Sequence, residues 1–252
     1  MFSPLEQFQV YKYNFQNSFF GYSNFNFIFN NANIFLFYIL IILFVYSFKV
    51  YFFSKINQSQ FRLVIESIYK FVYTIVKSHL SQSGLQFFPF IFFVFIFIAF
   101  CNLIGLIPYS FTLTSHFLFT FGLSFIVFVG INIIAFYRYG LHFFGFFLPK
   151  GVPFILTPFL SLLEFISYVF RVLSLSIRLF ANMTSGHVLM KIIAGFSWKL
   201  MSFKLWTIII NVFLFLILCI ITILETCIAL LQAYVFTVLN CIYLKDALSG
   251  GH

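Results

Sequence analysis

From residue 78 to residue 137 the chain contains no Asp, Glu, Lys or Arg. A helix crosses the hydrocarbon core of a bilayer with about 20 apolar residues, so this one stretch holds two crossings and the turn between them. The whole composition agrees. Soluble domains carry about 25% charged residues, whereas 8% are charged here, 63% are hydrophobic and the mean hydropathy is +1.08. The expected class is an all-α membrane protein. Such a composition excludes intrinsic disorder, a nucleic-acid-binding domain and a disulfide scaffold. The formal net charge of +9 reads as lysines in loops rather than as a phosphate-binding face.

Cys101, Cys219, Cys227 and Cys241 stand alone in apolar sequence without C-x-x-C spacing, so they read as small hydrophobes and not as a metal or redox motif. The 45 phenylalanines exceed what packing demands and match the bias of an A+T-rich genome, which points to an organelle. Residues 1–31, rich in Asn, Phe and Tyr, have neither the pattern of a signal peptide nor that of an Arg-rich presequence. They are expected to form an irregular arm at one membrane face, with residues 32–252 as a single membrane domain.

Within that domain, Asn33 to Phe53 has the length of one crossing. Residues 61–80 differ: Arg62, Glu66, Lys70 and Lys77 fall within about 80° of one another at ~100° per residue, opposite Leu63, Ile68, Val72 and Ile75. This is an amphipathic surface helix. Gln86 to Pro108 and Ser115 to Tyr137 form a transmembrane hairpin over residues 86–137, turning at Pro108 and Tyr109. Two apolar helical runs follow within residues 152–248, Val152 to Ser197 and Leu205 to Leu244. Each measures roughly 60 to 70 Å at ~1.5 Å per residue, about twice the ~30 Å hydrocarbon thickness, so both must be strongly inclined or broken. About five crossings result, the last two helices being antiparallel. An outer amino terminus puts Lys49, Lys55, Arg62, Lys70, Lys77, Arg138, Lys150 and Lys245 inside, against Lys12, Lys191, Lys199 and Lys204 outside, as the positive-inside rule requires.

Glu164, Arg171, Arg178, Lys191 and Glu225 interrupt the long apolar runs. Ionisable groups at membrane depth are expensive and are kept for function; Lys191 alone is near enough to the outer face to snorkel. Spacing of seven keeps Glu164, Arg171 and Arg178 on one helix face, with Ser167, Ser174, Ala181, Asn182 and Ser185. A smooth, polar-dotted strip of that kind suits a sliding contact, although small residues also serve fixed helix packing. His187 faces the opposite way. In an antiparallel pair, Glu164 falls opposite Asp246, Arg171 opposite Asn240, Arg178 opposite Gln232 and His187 opposite Glu225, all in nearly one register. An arginine does not release its proton, whereas imidazole and carboxylate do. The pattern is therefore two proton-conducting halves divided by a fixed cation.

At this point a resemblance enters. SLSIRLFANMTSGH from Ser174 to His187, LETCIALLQAYVFTVLNCIYLKDA from Leu224 to Ala247, NLIGLIPYSFTLTSH from Asn102 to His116 and PKGVPFILTPFLSLLEFIS from Pro149 to Ser167 together resemble subunit a of the F-type ATP synthase, mitochondrial type. The resemblance implies that Arg178 is the family's essential arginine, facing a ring of hairpins that each carry a carboxyl, with Gln232 beside it. It places His187 and Glu225 in an outer inlet half-channel, Glu164 by an inner outlet half-channel, and Asn182 within the arginine motif. Asn102, Ser115 and His116 become candidates for the inlet, and Asn240, Tyr243 and Asp246 for the outlet. Ala181 stands where many members have Gly, and Val172 where some have Pro. Neither departure touches the charges.

The implied partners are the c-ring, the peripheral-stalk and other membrane subunits, and the lipid bilayer. Protons are the transported ion, no nucleic acid is involved, and the location is the mitochondrial inner membrane. No cofactor or metal is expected. The chain has no G-x-x-x-x-G-K-[ST] motif, so the chemistry on ATP belongs to partners. A haem-bearing subunit would need paired axial histidines, yet His79, His116, His142 and His187 fall in four different segments. A secondary transporter would show an inverted repeat with matching broken helices, and none is visible.

Overall fold

The computed structural model describes residues 8–14, 28–53, 60–80, 82–107, 110–140, 145, 156–200 and 205–249. Two three-residue strands, β1 (Lys12–Asn14) and β2 (Ile28–Asn30), precede six α-helices: α1 (Asn31–Phe53), α2 (Gln60–His79), α3 (Phe88–Gly105), α4 (Phe117–Tyr139), α5 (Thr157–Lys199) and α6 (Leu205–Ser249). The architecture is all-helical apart from the small ladder. Four helical stretches are long and apolar enough to cross a membrane: Gly84–Gly105, Phe117–Tyr139, Thr157–Lys199 and Ile208–Leu248, with a shorter apolar helix at Asn31–Val45.

Local chemistry sets the helix boundaries. Pro in the first turn opens α3 and α5, where its missing N–H would be unpaired in any case. The last turn of α4 closes on Gly140, whose φ of 54° is a conformation open to glycine, and whose N–H donates to the carbonyl of Phe136. No Gly or Pro occurs between Leu205 and Leu248, so nothing breaks the 45 residues of α6. The 43 residues of α5 continue through Gly186 and Gly195. At ~1.5 Å per residue each helix is about 65 Å long, which a ~30 Å hydrocarbon layer accommodates only at a steep inclination.

Lipid tails are as apolar as leucine, so close packing and interhelical polar contacts hold such a bundle together. On α6 every fourth residue of Ala229, Ala233, Thr237 and Cys241 is small, and all four are 0% exposed. This stripe lets neighbouring backbones approach α6, which packs against α3, α5, α4 and α2. The amide of Asn102 on α3 reaches the Ala229 carbonyl at 3.2 Å. On α2, Val72, Ile75, Val76 and Leu80 are buried, and Phe71 lies between Phe95 and Tyr234 at 6.2 and 6.0 Å. The opposite face of α2 exposes a 2.8 Å Glu66–Lys70 pair. Leu63, on the apolar face of this helix, is 64% exposed, because the part of that face packed against the protein lies in the following turns.

Two expectations need correction. The arm is not wholly irregular: Lys12 pairs with Asn30, Tyr13 with Phe29 and Asn14 with Ile28, and of these Tyr13, Phe29 and Ile28 are residue types that favour strands. Ser115 is not in a crossing. It closes a 3-10 turn, Leu113–Ser115, ahead of α4, because its hydroxyl donates to the Thr112 carbonyl at 2.6 Å and accepts from the Thr112 hydroxyl at 2.6 Å, a local pairing that competes with helix. The Pro108–Tyr109 turn, the beginning of the long run at Val152, and Lys55, Lys150 and Lys204 lie outside the described residues.

Candidate functional site

The two long helices run antiparallel, and polar contacts mark their seam from end to end. Beginning at the hairpin tip, Ser197 meets Asn211 at 3.5 Å. His187 Nε2 stands 3.8 Å from Glu225 Oε1. Asn182 Nδ2 donates to Gln232 Oε1 at 3.4 Å. Tyr168 and Tyr243 then meet edge to face at 6.5 Å.

The polar groups collect at two levels. At the end of the bundle holding the 110–116 loop lie Asn102, Thr114, Ser115, His116, His187 and Glu225. Here the Asn102 Oδ1, Thr114 Oγ1, His116 Nε2, His187 Nε2 and both Glu225 carboxylate oxygens are buried with no protein partner. His116 stacks on Phe111 at 5.1 Å, and burial pushes its imidazole below the usual histidine range. At the other end the Tyr168 hydroxyl donates to Asn132 Oδ1 on α4 at 2.9 Å, the Asn132 amide donates to the Phe128 carbonyl at 2.9 Å, and the Tyr139 hydroxyl donates to the Leu248 carbonyl of α6 at 2.6 Å. Tyr243 and Asn240 are buried at this end, while Asp246 is exposed beside them. From Tyr168 to His187 is about 28 Å along α5 at ~1.5 Å per residue.

Between these levels lie the Asn182–Gln232 bond and the buried side chains of Ser176, Leu179 and Met183, and the Gln232 Nε2, like the Asn240 Nδ2 further along, is buried with no hydrogen-bond partner. Arg178 sits at the same height, with its side chain exposed. Glu164, Ser167, Arg171, Ser174, Arg178, Ala181 and Ser185 are all exposed, forming one strip along α5. Among the described residues, the side chains of Glu164, Arg171 and Arg178 have no hydrogen bond or ion pair.

The structure therefore joins His187 with Glu225 as the antiparallel register requires, and departs from that register at its centre. Gln232 is met by Asn182 rather than by Arg178. Arg171 and Glu164 likewise stay on the exposed strip instead of turning to Asn240 and Asp246. The reason is axial: Arg178 and Asn182 are one turn apart on nearly the same face, and the offset between the helices brings Asn182 level with Gln232. Asn132, Tyr168 and Thr114 are polar members of the two levels that sequence reading passed over. Asn132, a lone amide in the middle of an apolar span, was the legible signal. Among the described residues no three His, Cys, Asp or Glu side chains converge as a metal site would require, and the four cysteines are free.

Apolar helices of spanning length, with titratable groups inside the bundle and a bare guanidinium on one face, define a polytopic membrane protein with an ionisable seam. A family model described as ATP synthase A chain matches residues 32–245. ATP synthase subunit a of Chondrus crispus is 46% identical over 246 residues, covering 98% of this chain and 96% of the relative. The Marchantia polymorpha subunit a is 46% identical over 251 residues, 98% of both chains, and that of Acanthamoeba castellanii is 42% identical over 254 residues, 100% of both. The chain belongs to the ATP synthase A chain family. Its role is that of a membrane-spanning a subunit, in proton transport and ATP synthesis.

Proposed function

We propose that this chain is the stator half of a rotary proton motor in the mitochondrial inner membrane, passing protons to and from a c-ring through two offset half-channels. The observation that carries the reading is the placement of Arg178: a guanidinium without a hydrogen bond or ion pair among the described residues, on an exposed strip, level with the Asn182–Gln232 contact and between two polar clusters. In this reading residues 152–248 face the ring, residues 86–137 and the surface helix 61–80 support them, and the arm 1–31 contacts accessory or peripheral-stalk subunits.

A proton comes from the outer side past Asn102, Ser115 and His116. Buried polar atoms that lack a protein partner are groups that water satisfies, which favours a wet inlet here. The 3.8 Å separation of His187 and Glu225 is longer than a hydrogen bond, and a bridging water or a small side-chain shift carries a proton across it. From Glu225 the proton neutralises a ring carboxylate, and the neutral group turns into lipid. Nearly a full turn later it meets Glu164 and is released inward past Asn240, Tyr243 and Asp246. Arg178 attracts the bare carboxylate and favours its ionised form, while the Asn182–Gln232 bond denies protons a direct route along the seam. The drive is ~2.3 kcal/mol per charge for each 100 mV. Two inclined helices follow a curved rotor wall, which is why they exceed the membrane thickness.

The test is a cross-link. In the assembled complex with Cys227 replaced by Ser and one cysteine introduced on the carboxyl-bearing helix of the ring, Ser174→Cys on the exposed strip is expected, under a mild added oxidant, to form a disulfide with that cysteine and to stop rotation until reduced. Ile126→Cys on α4, 72% exposed, is expected to form none. Cross-linking from α4 with none from Ser174 would place the rotor elsewhere.

A further inference from the structure

Gly186 lies in the middle of α5, beside His187, with the Glu225 side chain laid across it. A Cβ built on Gly186 would stand 2.5 Å from Glu225 Oε1, 2.8 Å from its Cδ and 3.2 Å from its Cγ. The carboxyl thus occupies the space that any side chain at 186 would need. Among the other glycines of the spanning stretches, Gly122, Gly130 and Gly195 have nothing within 4 Å of the same position, Gly105 faces Thr112 and Gly84 faces the Leu80 side chain at 2.8 Å; Gly186 differs in that its space is taken by a titratable side chain. Glycine inside a helix is unfavourable relative to alanine by about 1 kcal/mol, so a local advantage has to offset it. Helix packing alone is a weak candidate for that advantage, because the atoms at closest approach belong to the tip of a movable side chain and not to a neighbouring backbone.

We propose that Gly186 is a positioning residue, whose missing side chain forms the seat that holds the Glu225 carboxyl beside the His187 ring at the head of the inlet. Without the seat, the carboxylate swings along the seam, away from the imidazole, while the backbone of both helices stays in place. The proposal rests on the half-channel reading of Glu225, and the test separates the two.

ATP synthase complexes carrying Gly186→Ala, Glu225→Asp, both together, or Glu225→Gln are reconstituted into vesicles, and proton-driven ATP synthesis is measured alongside the amount of assembled complex. Gly186→Ala is expected to assemble and to lower synthesis about tenfold or more, since a displacement of ~1 Å in a proton-handling group can cost on the order of 100-fold. Aspartate withdraws its carboxyl by one methylene and eases the closest approach from 2.5 Å at the Glu225 Oε1 to the 3.2 Å of the Cγ position, so in the Glu225→Asp background the same alanine is expected to cost at least severalfold less than in the parent, a non-additivity that marks direct contact. An equal loss in both backgrounds, or no loss in either, overturns the seat. Should Gly186→Ala fail to assemble, recovery of assembly and synthesis in the double variant sustains the proposal and its failure there overturns it. Wild-type synthesis by Glu225→Gln would remove Glu225 from the path and with it the half-channel reading; a blocked Glu225→Gln beside a silent Gly186→Ala would remove only the seat.

Discussion

Replacing Arg178 with alanine tests the charge logic directly. Arg178 lies exposed on α5, where a ring carboxylate passing at about 4 Å would gain roughly 4 kcal/mol at an effective dielectric near 20. With Arg178 gone, the nearest cation on the strip is Arg171, seven residues or about 10 Å along the helix at ~1.5 Å per residue. At a separation of ~11 Å the same expression leaves only about 1.5 kcal/mol. That weaker attraction is present with or without Arg178, so the substitution loses about 4 kcal/mol and shifts the ionised fraction of the ring carboxyl by roughly 1,000-fold. Proton-driven ATP synthesis by Arg178→Ala in reconstituted vesicles is expected to fall at least that far, to background, while passive proton permeability persists or increases because nothing holds the two clusters apart. Arg178→Lys is a softer perturbation, keeping the charge on a group whose protonation changes readily when buried. Synthesis by Arg178→Ala within tenfold of the parent, with the complex fully assembled, would refute the reasoning.

The small-residue stripe gives a stability prediction. Ala233 is 0% exposed, so Ala233→Leu overpacks the α6 interface and is expected to cost about 1–3 kcal/mol, read as a lower unfolding midpoint in detergent; Ile223→Leu, at a site 66% exposed, should stay within about 0.5 kcal/mol. Equal midpoints for the two would dismiss the stripe as a packing surface. A second consequence concerns acid. Burial holds His116 below its ordinary value of 6.5, so the neutral ring stabilises the 110–116 loop, fully above the ordinary histidine range and less as pH falls through the depressed folded value. Protection of the amides over residues 110–120, after correction for the intrinsic pH dependence of exchange, should fall as pH drops below the ordinary histidine value of 6.5, and His116→Gln should flatten that response. An unchanged response in His116→Gln would assign it to another group.

How much of this was readable in advance differs by residue. Span lengths and the α5 strip follow from apolar run length and from the ~100° turn per residue, and the structure keeps Glu164, Arg171 and Arg178 together on one exposed face. The His187–Glu225 approach was also legible, because two titratable groups in apolar helices need company. The partner of Gln232 was not: Arg178 and Asn182 lie one turn apart, and a slip of one turn leaves every periodicity argument intact. Tyr168 with Asn132 was hidden for a related reason, since it joins α5 to α4 across 36 residues of sequence, and no pattern within either helix encodes that match.

Hydropathy, charge spacing and helix length thus suffice to specify a membrane bundle, its two overlong helices and the face that bears the guanidinium, since each depends only on residues close along the chain. The axial offset between helices had to come from three dimensions. It is set by how closely Ala229 and Ala233, both 0% exposed, let neighbouring segments approach, and that spacing places the Glu225 carboxyl beside His187, bonds Asn182 rather than Arg178 to Gln232, and leaves the arginine on the exposed strip.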